Sequence, residues 1–135
     1  MLTTTPSTTT ANAVSTWRYG KPLPLSFRSC NPEHHPDYYA WDSIMNREDT
    51  DLVIWVGGLD QSVEMPDCSM QKILLSNKDY EDADVFIPIA IPGLDHDAHL
   101  FRTDLTLAHY LKNLHMNDGY SGADTLEQIY SQLKC

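Results

Sequence analysis

The sequence predicts a small α/β domain: a Rossmann-like, mostly parallel sheet flanked by helices. Two observations carry that reading. Asp51-Leu52-Val53-Ile54-Trp55-Val56 is a continuous apolar run behind an acidic residue, stopped by Gly57-Gly58. Runs of this kind suit a strand covered on both faces, as in parallel sheets. Segments with helical spacing lie on either side of it, at 36–46 and 124–134, with shorter apolar runs between. Roughly three to five strands are expected from such alternation, and no internal repeat is visible.

The elements follow in chain order. Residues 1–16 are rich in Thr and Ser and contain neither a basic nor an apolar segment. They read as a disordered leader and not as a signal peptide. Order is expected from Trp17 onward, as a single α/β domain over 17–135. Pro22, Pro24, Pro32 and Pro36 leave only 23–27 as a strand in this stretch, and that at a sheet edge. Pro36-Asp37 suits a first helical turn, and Tyr38, Trp41, Ile44 and Met45 then share one face. Residues 72–75 form a second strand. Residues 85–91 form a third, which Pro88 and Pro92 push toward an edge or a bulge because each lacks an amide donor. Residues 106–113 read as a helical turn. Asp124 caps the last helix, whose apolar stripe is Leu126, Ile129, Tyr130 and Leu133.

Charge narrows the function classes. Nine Lys and Arg stand against nineteen Asp and Glu, a formal net charge of −10. Such a surface repels phosphate backbones and anionic lipid, so neither nucleic acid nor membrane is expected as a partner. No apolar run reaches the length of about 18 residues that a spanning helix needs. Cys30, Cys68 and Cys135 are odd in number and widely separated. That spacing gives neither a disulfide framework nor a zinc ribbon, and a reducing cytoplasm fits it.

Three groups of residues carry candidate chemistry. Gly57-Gly58 sits at the carboxyl end of a predicted strand, where open α/β sheets bind ligands. It is not a G-x-G-x-x-G fingerprint, and a tight turn after the strand explains it more simply. Asp95-His96-Asp97-Ala98-His99 sets two carboxylates and two imidazoles within five residues, potential oxygen and nitrogen ligands for a metal. Metal sites normally draw on separated segments, however, and His34, His35, His109 and His115 have no ligand motif around them, so a solvated acidic loop is the better reading. Arg102 and Asp104 could face the same way on a strand, either as an anion clamp or as a buried structural ion pair, and the pair is favoured. Trp17, Tyr19, Tyr38, Tyr39 and Trp41 read as core or interface packing and not as a base-stacking platform, because few basic residues accompany them.

Four segments in order then resemble one family. Trp17-Arg18-Tyr19-Gly20-Lys21-Pro22-Leu23-Pro24-Leu25-Ser26-Phe27 is similar to "T-G-x-P-L-x-V-x-F". Cys30-Asn31-Pro32 through Tyr38 resembles a "G-Y-P-x-x-N-P" stretch. The run from Asp51 to Val56 matches a strand opening on Asp. The segment from Ala83 to Asp104 resembles "A-D-V-x-I-P-x-A-I-x-G-x-E-x-x-G-T-x-x-R-x-D", with Asp95, Ala98 and His99 where that pattern has Glu, Gly and Thr. Together these resemble the B subunit of formylmethanofuran dehydrogenase, in the molybdopterin-oxidoreductase superfamily, over about 17–106.

The resemblance implies a truncated molybdopterin-oxidoreductase-type domain acting in one-carbon metabolism, beside other subunits of a formylmethanofuran-processing complex. The cysteine ligands of the family's iron–sulfur centre and of its molybdenum or tungsten have no counterpart in this sequence. The expectation is therefore a non-catalytic chain that binds no cofactor, like the metal-free B-like subunit of the bacterial formyltransferase/hydrolase complex. That complex takes the formyl group to formate on another subunit. The alternative it implies is a molybdopterin- or tungstopterin-binding fragment of an active dehydrogenase, with Gly57, Gly58, Gly93 and Arg102 lining the pterin. A third reading, from the residues alone, is a metal-dependent hydrolase built on Asp95, His96, Asp97 and His99.

Overall fold

The structure, a computed structural model, describes residues 6–45, 47–57, 67–79, 82–102, 104, 106–115 and 119–133. The chain divides into two compact units, Met1–Asp51 with Phe101–Ala108, and Leu52–Leu100 with His109–Cys135. Each is described by itself.

The first unit opens on helix α1, Pro6–Tyr19, over residues that composition assigns to a disordered leader. Threonine is a weak helix former, but here small polar side chains tie the helix to its surroundings. The Asn12 side-chain oxygen accepts the Leu23 N–H at 2.8 Å, the Thr10 hydroxyl accepts the Phe101 N–H at 3.2 Å, and the buried Ser15 hydroxyl donates to the Lys21 carbonyl at 2.9 Å. Gly20, at φ 69°, stops the helix in the left-handed conformation that glycine adopts freely. No strand forms over 23–27. Among the described residues that segment keeps a single two-bond bridge, Ser26 to Glu33, because the surrounding prolines remove the donors a ladder needs. The expected helix over 36–46 shrinks to α2, Trp41–Met45. The Ser43 hydroxyl donates to the Asp37 carbonyl at 2.7 Å, a local bond that holds the preceding residues as a turn.

The second unit is built on three parallel strands in the order β1-β2-β3: β1 Leu52–Val56, β2 Gln71–Ser76 and β3 Val85–Pro88. All three contain runs expected from the sequence. The central strand carries the core, with Leu74 and Leu75 fully buried and Ser76 nearly so. β3 ends at Pro88, at a sheet edge as its prolines require, and Ile89 N–H closes onto the Ser76 carbonyl at 3.1 Å. β1 departs from expectation. It is the other edge, and only Val53 is buried while Leu52, Ile54 and Val56 stay exposed. A continuous apolar run does not by itself say that both faces are covered.

β4, Ala98–Phe101, pairs with β5, Ala108–Leu111. β5 replaces the expected helical turn over 106–113. A single isolated turn gains too little to nucleate, and pairing with β4 satisfies the same backbone groups. Helix α3, Gly122–Leu133, begins earlier than expected. Ser121, and not Asp124, is its cap. The Ser121 hydroxyl accepts the Asp124 N–H at 3.1 Å and the Asp124 carboxylate accepts the Ser121 N–H at 3.1 Å, a reciprocal capping box. Thr125 is the buried position of this helix, whereas Leu126, Tyr130 and Leu133 of the expected inward stripe are exposed. Among the described residues no helix is long and apolar enough to cross a membrane.

Candidate functional site

The acidic and imidazole cluster at 95–99 follows a tight turn. Gly93, at φ 77°, donates its N–H to the His96 carbonyl at 2.7 Å, and the Asp95 carboxylate accepts the Ile91 N–H at 2.8 Å. Leu94 offers its carbonyl to two N–H groups, those of Leu114 at 3.0 Å and His115 at 2.8 Å. His96 Nδ1 lies 2.8 Å from the Asp97 carbonyl, which places the proton on that nitrogen, and its buried Nε2 has no hydrogen-bond partner. Asp97 turns to β5, where it accepts the Tyr110 hydroxyl and the Asn113 N–H, the latter at 2.9 Å. His99 packs its ring against Tyr110 at 5.2 Å between centroids.

The four side chains therefore have different local tasks and do not point at one centre. Among the described residues no group of three or more His, Cys, Asp or Glu is placed to hold a metal ion. Tyr110 and Asn113, the partners of Asp97, were not legible as site residues. They lie 13 and 16 positions away with no motif between them.

The carboxylates have an electrostatic signature. The Tyr110 hydroxyl, then the Asn113 amide, hold Asp97 below the usual carboxylate range. The Ser121 hydroxyl and amide do the same for Asp124, and the Thr106 hydroxyl and amide for Asp104. Arg47 and then Arg28 depress Asp49 furthest, through a bidentate contact at 2.7 and 2.9 Å and an ion pair at 2.8 Å.

A depressed folded-state pKa means that the unfolded chain binds more protons in acid. The stabilisation is therefore complete above the ordinary carboxylate value near 3.8 and is lost as pH falls through the lower folded values. Thermal melts should show a transition temperature that is level above about pH 5 and drops below pH 4. Asp97→Asn should shallow that drop. A wild-type transition temperature unchanged down to pH 2 would contradict the assignment.

The expected pterin-lining residues are also accounted for locally. A Cβ on Gly57 would meet the Ser76 hydroxyl at 2.6 Å, and one on Gly93 would meet the Leu111 side chain at 3.0 Å. The space a side chain would take at each glycine is thus filled by the chain's own side chains. Gly58 lies outside the described residues. Arg102 follows the end of β4 and pairs with Asp104 at 2.9 Å. This is the ion pair the sequence favours, but both side chains are about half exposed, so it is not a buried one.

The aromatic residues Trp17, Tyr19, Tyr38 and Trp41 are exposed, not core. Tyr19 packs edge-on against Phe27 and Arg47 lies over the Tyr38 ring, 4.4 Å from its centroid. One feature the sequence does not announce is an open groove of about 360 Å3 beside α3, lined by Tyr120, Asp124, Glu127, Gln128 and Ser131.

No family model and no curated protein sequence matches the chain. A solved structure does. A chain of the formyltransferase/hydrolase complex (FhcABCD) from Methylorubrum extorquens, crystallised in complex with methylofuran, is similar with a TM-score of 0.74 and 19% identity. The match covers 93% of this chain and 36% of that one. At this identity the likeness establishes the fold, a small α/β arrangement with a parallel sheet flanked by helices.

Proposed function

We propose that this chain is the B-type subunit of a formylmethanofuran-processing complex, a cytoplasmic structural component of one-carbon metabolism that performs no redox step. The observation that carries the reading is the fold shared, across nearly the whole chain, with a chain of the formyltransferase/hydrolase complex. The B-type assignment rests on the four motifs that resemble that subunit in order between Trp17 and Asp104. Three cysteines fall short of the four thiolates an iron–sulfur cluster takes, and Gly57 and Gly93 are needed for close packing within this chain. Both features favour a structural role over a pterin-binding one. The formyl chemistry, ending in formate, then belongs to partner subunits.

Co-expression with the other subunits of the complex from the same genome tests this directly. The chain is expected to co-elute with them in a fixed ratio, with molybdenum and tungsten at trace levels by elemental analysis. A chain that elutes alone overturns the assignment, and near-stoichiometric molybdenum or tungsten overturns its non-redox part.

A further inference from the structure

We draw no further inference here: the strongest candidate, the open groove beside α3 lined by Tyr120, Asp124, Glu127, Gln128 and Ser131, gathers carboxylates without a second feature that identifies a ligand, and nothing in the structure shows what covers it.

Discussion

Leu74→Ala is expected to lower stability by about 2–5 kcal/mol, the range for emptying a leucine-sized space in a packed core. Leu74 is fully buried on the central strand, and among the described residues the buried hydrophobic positions are only Val53, Leu74, Leu75 and Ala90. So few residues cannot collapse efficiently around the space left behind. Small domains hold a total of about 5–15 kcal/mol, so the loss takes a large fraction of what there is. Urea titration should show a lower midpoint with an unchanged slope. Leu126→Ala, on the exposed side of α3, should change stability by less than about 0.5 kcal/mol. Equal effects from the two substitutions would mean that β2 is not the core.

Gly57→Ala should be nearly as damaging for a change of one methyl group, at about 1–3 kcal/mol. The added carbon would sit 2.6 Å from the Ser76 hydroxyl oxygen and 2.9 Å from its Cβ. Ser76 cannot easily give way. It is 3% exposed, its carbonyl accepts the Ile89 N–H at 3.1 Å, and its hydroxyl accepts the Lys78 N–H at 3.3 Å. Gly57 is anchored in turn, donating to the Leu75 carbonyl at 2.8 Å. If crowding is the cause, Gly57→Ala with Ser76→Gly should cost less than the sum of the two single changes by about 0.5–3 kcal/mol. Strict additivity in this cycle would count against the contact as the reason for the glycine.

The sheet is largely legible because its strands announce themselves locally, β1 and β3 through apolar runs bracketed by Asp, Gly or Pro and β2 through the short run Ile73-Leu74-Leu75. Its third member even declared its edge position through Pro88. What escaped was decided by partners distant in sequence. α1 depends on Asn12, Thr10 and Ser15 bonding to Leu23, Phe101 and Lys21, and no composition reading of a Thr-rich stretch contains those pairings. β5 lacks an alternating pattern and exists through pairing with β4. The cap of α3 was legible and misread. Ser121-Gly122-Ala123-Asp124 carries the Ser-x-x-acid pattern of a capping box, and that pattern, unlike Asp124 alone, puts the helix start at Gly122. In the candidate site, the types of residue at 95–99 suggested shared ligation. Tyr110 and Asn113 instead draw Asp97 toward β5, which spacing within five residues could not reveal.

The two borders of the three-stranded sheet differ in their hazard for self-association. β3 is the short run Val85-Phe86-Ile87-Pro88, preceded by Asp84. A charge at one end and a proline at the other act as gatekeepers against fibrillar stacking. β1 is Leu52-Val53-Ile54-Trp55-Val56, wholly apolar and rich in β-branched residues, with no proline and with charge only at its leading end. Such a border is a template for cross-β growth when it is left bare. The sheet is thus guarded on one flank and unguarded on the other, and the liability to aggregate is concentrated in β1.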